Sequence, residues 1–232
     1  MGFWPRPVRH VLTATTAFSL VTSAALAGDG WTMLFDGRST RAWRGYNRGS
    51  FPAGCWAVED GALKTVKSEG GGCDLVTRRT YRDFELALEW KVGKGGNSGV
   101  FYRAAELPPP APIWHSAPEL QILDDGAHPA ATPQTLAGSL YDLIAPVDKV
   151  LRPVGEWNEA RVVVRGPHVE HWLNGRKVLE YELGSDALAA LIAASKFKDM
   201  PRFAREKEGH IGLQHHGEEA WFRNIRIRVL RP

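Results

Sequence analysis

Cysteine is nearly absent from this chain: its 232 residues hold two, Cys55 and Cys73. Neither belongs to a Cys-x-x-Cys pair or has a close histidine, so the two make a poor metal site. There is no Gly-x-Ser-x-Gly, no Walker loop and no dinucleotide fingerprint. That argues against a serine hydrolase, a nucleotide enzyme or a dinucleotide-dependent oxidase. Helical patterning is scarce, with one convincing stretch at Ser185 to Ala194. Long apolar runs are scarcer still, and the only one is Val11 to Leu26.

That run has the grammar of a secretory leader. Arg6 and Arg9 precede it, and Ala25-Leu26-Ala27 supplies the small-residue cleavage site. Residues 1–27 are therefore read as a signal peptide, with 28–232 as one mature domain. No cysteine follows the cut, so a lipid anchor is not indicated, and the mature chain is expected off the membrane. Secretion or a periplasmic location follows from this reading. Losing Arg6 and Arg9 takes the formal net charge from +3 to +1. No electrostatic case for nucleic acid remains. In an oxidising compartment the two cysteines suggest a Cys55–Cys73 disulfide, with two free thiols as the alternative.

What is present is a succession of short alternating strands. Phe84-Glu85-Leu86-Ala87-Leu88-Glu89-Trp90-Lys91-Val92 points Phe84, Leu86, Leu88 and Trp90 inward and Glu85, Glu89 and Lys91 outward. Asp60-Gly61 and Asn174-Gly175 sit between alternating runs, a hairpin signal. Gly138 to Ile144, with Tyr141, reads as another strand. Ser185 is placed as the N-cap of the one helix. The architecture predicted is all-β: a two-sheet antiparallel sandwich of the jelly-roll kind with one short helix. Nine tryptophans are many for this length. Most are expected in the core, the rest against a ligand.

Two stretches form an unusual floor. Alternation along Gly95 to Arg103 groups Asn97, Phe101 and Arg103, with Gly99 between them. Along Pro118 to Asp125 it groups Glu119, Gln121 and Leu123, with Leu120 and Ile122 on the other face. A carboxylate, two amides and a guanidinium beside an aromatic ring suit a sugar.

Further stretches carry a resemblance. They are Leu34-Phe35-Asp36-Gly37, Trp56-Ala57-Val58-Glu59-Asp60-Gly61, Asp83-Phe84-Glu85-Leu86, Gly95 to Phe101, Glu119 to Asp124, Gly155-Glu156-Trp157-Asn158, Gly212-Leu213-Gln214-His215-His216-Gly217 and Trp221-Phe222-Arg223-Asn224-Ile225. In this order, from about Gly30 to Leu230, the chain closely resembles the 3-keto-disaccharide hydrolase domain family. The resemblance implies a concanavalin A-like, glucanase-type jelly roll. It also implies cleavage of glycosides or disaccharides already oxidised to a ketone at sugar carbon 3. The chain departs from the family at His215, where Asp is usual, and keeps His216.

Such chemistry needs a base near carbon 2, positive charge at the carbon 3 oxygen and an acid for the leaving group. His216 is the first choice as base, because imidazole titrates near neutrality; a structural histidine is the alternative. Glu119 is the second candidate, on a strand where burial would raise its pKa. Arg103 is the expected clamp on the enolate, or else a salt-bridge partner of Glu119. Lys198 is a substrate-binding candidate from the loop after the helix, with Lys196 beside it. Asn97, Gln121 and Gln214 suit sugar hydroxyls, and Tyr141 could stack or donate a proton. The sequence specifies no definite cofactor. A divalent cation could sit at Asp124 with Asp125, His128 and His216. A glycan-binding module without catalysis is the competing reading, since lectins share the architecture.

Overall fold

The computed structural model describes residues 1–2, 30–67 and 72–231. The predicted leader lies almost wholly outside them. In chain order the strands are β1 (Trp31–Phe35), β2 (Trp43–Gly45), β3 (Trp56–Glu59), β4 (Ala62–Thr65), β5 (Leu75–Thr77) and β6 (Phe84–Val92). They continue with β7 (Asn97–Ala104), β8 (Glu119–Leu123), β9 (Asn158–Arg165), β10 (His168–Leu173), β11 (Arg176–Glu182), β12 (His210–Leu213) and β13 (Ala220–Val229). One helix, α1 (Asp186–Ala193), follows β11, and Ser185 Oγ caps it by accepting from Leu188 N at 3.2 Å.

The strands form two antiparallel sheets. The larger runs β11-β10-β9-β6-β13-β4-β3, with β1 also paired to β13. The smaller runs β2-β5-β12-β7-β8. Apolar side chains from their facing sides make the core. Leu86, Trp90, Val162 and Phe222 from the large sheet meet Leu75, Val100, Leu120, Ile122 and Leu213 from the small one. The alternation expected of β6 holds: Phe84, Leu86, Leu88 and Trp90 are buried. The Asp60-Gly61 and Asn174-Gly175 turns both take positive φ, as two-residue hairpin loops require.

One polar chain crosses the core and ties the sheets together. Tyr181 on β11 and Tyr102 on β7 share a 2.6 Å hydroxyl hydrogen bond, and Tyr102 meets His171 Nε2 on β10 at 2.8 Å. His171 Nδ1 donates to Gly138 O at 3.2 Å, which fixes the tautomer. All three side chains are buried. Burial pushes the His171 imidazole down to about 4, so it is neutral and fully engaged. The network anchors the 137–144 segment from below.

Three expectations need correction. Gly138 to Ile144 is no strand. It follows β8 through Gly138 N to Gln121 O and Tyr141 N to Glu119 O, then turns, with Gly138 and Asp142 at positive φ. Arg103 does not share a face with Phe101. Its φ is +50°, and four residues of β7 (Phe101 to Ala104) oppose three of β12 (His210 to Gly212). This bulge breaks the alternation, so Ala104 takes the place beside Phe101 and Arg103 turns away. Among the described residues, most tryptophans are not core either. Trp43, Trp56 and Trp90 are fully buried. Trp31, Trp157, Trp172 and Trp221 carry cations over their rings on the large sheet, such as Arg161 over Trp172 at 3.9 Å.

The two cysteines are joined as Cys55–Cys73. The bond holds the lead into β5 against β3. Trp56 Nε1 donates to Cys73 O at 2.7 Å on the same strand end.

Candidate active site

The outer face of the small sheet is the polar floor. Register places Phe101 opposite Glu119, Gly99 opposite Gln121 and Asn97 opposite Leu123. On the other side of β7, Gly212 opposes Phe101, and Gln214 N donates to Gly99 O at 2.9 Å. Val76 pairs with Gly212, so Asp74, two residues earlier, continues the same face of the sheet. The segment 105–117 closes one end: Ile113 and Ala117 pack on Phe101 and Val76, and Trp114 leans on that cluster. Two cavities result. One of about 740 Å³ is lined by Asp74, Gln214, His215, His216, Trp114, Tyr46 and Pro112. The other, about 370 Å³, is lined by Asn97, Gln121, His128 and Tyr141. Lys196 links them, its ammonium 5.5 Å from the Trp114 ring and 4.2 Å from the Tyr141 ring.

Glu119 lies between the cavities. Its carboxyl passes over Gly99: a Cβ on that glycine would stand 1.9 Å from Oε1. The Gln121 amide fits its neighbours with its NH₂ toward Ser98 O (3.1 Å) and Glu119 Oε1 (3.2 Å), and its oxygen facing the Asn97 amide. Burial pushes the Glu119 carboxyl up to about 8, opposed by the Lys196 charge and reinforced by Asp74. At neutral pH it therefore holds a proton. Asp74 is pushed up to about 6 by burial, opposed by the His215 N–H and the His216 charge. It is mostly ionised at neutral pH. Two carboxyls on one face thus carry different protonation states, the arrangement that assigns an acid and an anion to one site.

His216 lines the larger cavity and is exposed. Its Nδ1 lies 2.8 Å from Glu218 Oε2. A carboxylate at Nδ1 favours the tautomer that leaves Nε2 with a free lone pair. His215 borders the same cavity, but its side chain is turned inward. It is buried edge-on to Trp56, and its Nε2 meets Val66 O at 3.0 Å. Just past the end of β12 the two adjacent histidines thus differ, His215 buried and His216 exposed.

The structure thus gathers Glu119, His216, Gln121, Asn97, Gln214 and Tyr141 on one face. It does not bring Arg103 there. Arg103 donates to Arg82 O (2.9 Å) and Gly166 O (2.8 Å) and lies 3.5 Å from Asp83, with no contact to Glu119. It braces loops at the sheet edge. Lys198 is exposed and makes no contact with the groove, whereas Lys196, two residues earlier in the same turn, does. Asp124 is occupied locally, because its two oxygens accept from Gly95 N (2.9 Å) and Gly126 N (3.2 Å), a clasp between the β7 and β8 ends. Asp125 pairs with Lys149 at 2.6 Å. Among the described residues, convergent metal-ligand atoms occur at His168, Glu170 and Glu180 on the large sheet, not in the groove.

Sequence reasoning missed Asp74 and Glu218. Asp74 could have been found by counting back in steps of two from Val76, since both lie on the floor side. Glu218 had no such signal, because it lies in the loop after β12.

A family model described as a 3-keto-alpha-glucoside-1,2-lyase-like domain matches residues 30–228. A Bacteroides thetaiotaomicron protein named 3-keto-disaccharide hydrolase is 41% identical over 230 residues, covering 87% of this chain and 79% of that protein. A crystal structure from Parabacteroides distasonis, described as a candidate glycosyl hydrolase, superposes with a TM-score of 0.81 at 30% identity, covering 87% of this chain and 94% of that one. The Bacillus subtilis carbohydrate-binding module CBM66 superposes at 0.51 with 12% identity, covering 81% of this chain and 95% of that one. That likeness is one of fold alone.

Proposed function

The chain belongs to the 3-keto-alpha-glucoside-1,2-lyase-like family, and from that premise we propose that it cleaves 3-keto-glycosides or 3-keto-disaccharides by proton abstraction, elimination and hydration. A ketone at carbon 3 acidifies the hydrogen on carbon 2. Its removal gives an enediolate, which expels the group on carbon 1. Water adds to the resulting double bond and completes a net hydrolysis. This route differs from ordinary glycoside hydrolysis through two opposed carboxylates.

The observation that carries the reading is the protonated, buried Glu119 in the same groove as an ionised Asp74 and a carboxylate-paired His216. In this scheme His216 Nε2 takes the carbon 2 proton. Glu119 gives its proton to the leaving oxygen. Lys196 brings positive charge to the ketone. Gln121, Asn97 and Gln214 take hydroxyls, and Trp114 and Tyr141 supply flat apolar walls. The leader reading, together with the Cys55–Cys73 bond, supports export to an oxidising compartment.

The test is incubation with a 3-keto-glucoside and, separately, with its unoxidised parent. Release of the aglycone from the ketone alone is expected. Binding of either sugar without cleavage would turn the reading into that of a glycan-binding module.

A further inference from the structure

Lys196 differs from the ion-paired lysines and shares with Lys91 a place over aromatic rings, but Lys91 lies on the large sheet and Lys196 at the groove. Lys64, Lys149 and Lys177 each form an ion pair with a carboxylate. Lys196 forms none among the described residues. Its ammonium sits among rings instead: Tyr141 at 4.2 Å, Phe197 at 5.2 Å and Trp114 at 5.5 Å. Its backbone is held firmly. Lys196 opens the 3₁₀ turn Lys196–Asp199, and Ser195 Oγ accepts from Phe197 N at 3.1 Å. Phe197 is buried and stacks on Phe203 at 3.9 Å, which anchors the turn to the core. The residue itself is exposed, so a ligand in the groove can reach the amine.

The surroundings favour a reactive amine. Desolvation lowers the Lys196 pKa, with Asp142 and then Glu119 opposing it. Glu119 is protonated at neutral pH and gives little compensation while it remains so. A partly desolvated amine in no ion pair among the described residues, beside a neutral carboxyl, is the setting in which lysine adds to carbonyls.

We propose that Lys196 is a covalent catalyst that carries the substrate ketone as an imine. The proposal rests on the 3-keto reading of the same groove and deepens it. The ammonium gives up one proton, the free amine nitrogen bonds to carbon 3, and the carbonyl oxygen departs as water carrying that proton and a second one from the nitrogen. That leaves a protonated imine with the same net charge. His216 then removes the carbon 2 proton, and the electron pair forms a carbon 2–carbon 3 double bond, giving an enamine. The enamine pushes out the carbon 1 oxygen, which takes the Glu119 proton. The sugar is now a conjugated iminium with a carbon 1–carbon 2 double bond. Water adds to carbon 1 and gives a proton back to Glu119. His216 returns its proton to carbon 2. A second water hydrolyses the imine and regenerates the ketone and the ammonium. The water released at imine formation balances this second one, so one water is consumed per glycosidic bond and nothing is oxidised or reduced. An iminium is a stronger electron sink than a ketone, so the nitrogen replaces the external cation that an enediolate would need.

Reductive trapping tests this on the full chain. The protein is incubated with a 3-keto-glucoside and sodium cyanoborohydride, then read by intact mass and peptide mapping. One sugar-derived adduct per chain is expected on the peptide carrying Lys196, with time-dependent loss of activity. The parent glucoside should give none. Lys196→Arg keeps the positive charge and should lose both the adduct and more than about 100-fold of the cleavage rate, the size of a lost chemical contribution. Its melting temperature serves as the folding control. Cleavage of the ketone without an adduct on Lys196 overturns the imine and leaves the hydrolase reading standing. So does a Lys196→Arg variant within about tenfold of the parent rate. Labelling spread over surface lysines counts the same way. An adduct on Lys196 with no cleavage in reductant-free reactions keeps the imine and sinks the hydrolase reading. Neither adduct nor cleavage removes both.

Discussion

Gly99 and Glu119 occupy adjacent strands so closely that a methyl group on the glycine would stand 1.9 Å from the glutamate oxygen. The missing side chain is what lets a buried carboxyl lie across the middle of the small sheet. Gly99→Ala is therefore expected to displace Glu119. Overpacking of this kind costs typically about 1–3 kcal/mol. The activity loss should exceed what that destabilisation explains: at a temperature where the variant is fully folded, kcat should still fall at least about tenfold. A variant with full kcat would mean that Glu119 does not need its place over Gly99.

The protonated state of Glu119 has a consequence for stability. Its carboxyl titrates near 8 in the folded chain against an ordinary 4.5. Between those values the folded state holds a proton that the unfolded chain has released. The contribution is fully present below about 4.5 and is lost as pH rises toward 8. Glu119→Gln removes it. Urea midpoints of the parent should fall from pH 5 to pH 8.5 more steeply than those of Glu119→Gln. The divergence should be on the order of a few kcal/mol at about 1.4 kcal/mol per unit. Parallel curves would show that Glu119 ionises normally. Glu119→Gln should also lose leaving-group protonation, about 10²–10⁴-fold in rate, and least for activated leaving groups.

His216 and Glu218 should separate in the size of their effects on rate. His216→Ala removes the base and should lower kcat/KM by roughly 10²–10⁴-fold. Glu218→Gln keeps the imidazole and removes its anionic partner. Both side chains are solvent-exposed, so the loss of kcat/KM should be small, within about tenfold. Full activity in His216→Ala would move the base elsewhere, with Asp74 next to be tested.

The Cys55–Cys73 bond closes a short loop, with a sequence separation of 18. Replacing both residues with serine should cost roughly 3 kcal/mol, which chemical denaturation measures directly. Because Asp74 follows Cys73 directly, the double variant should also weaken substrate binding below its melting point. A variant with unchanged midpoint and KM would leave the bond no structural role.

Arg103 should behave as a brace. Its buried guanidinium serves Arg82 O and Gly166 O. Arg103→Lys keeps the charge and loses the fork, at about 1–3 kcal/mol. In the folded variant kcat/KM should stay within about threefold. A large fall in kcat without loss of stability would return Arg103 to the catalytic groove.

Much of this molecule is legible from local pattern. Alternation of period two, selected by burial of one face, identifies β6, β7 and β8 and pairs Asn97 with Gln121 and Glu119 on one floor. Asp-Gly and Asn-Gly mark hairpins because two-residue turns demand positive φ. Two cysteines leave one intramolecular pairing to make. What local pattern does not carry is phase across long range. The bulge that swings Arg103 off the floor arises where β7 meets β12, more than a hundred residues later. Lys196 rather than Lys198 reaches the groove because a 3₁₀ turn anchored by Phe197 sets its direction. Asp74 joins Glu119 and His216 only when β5, β8 and the end of β12 come together in one sheet. The floor itself is therefore written in the chain, since each strand selects its own buried face. The charges that work upon it are assigned by packing between distant segments, for which a single sequence has no period to read.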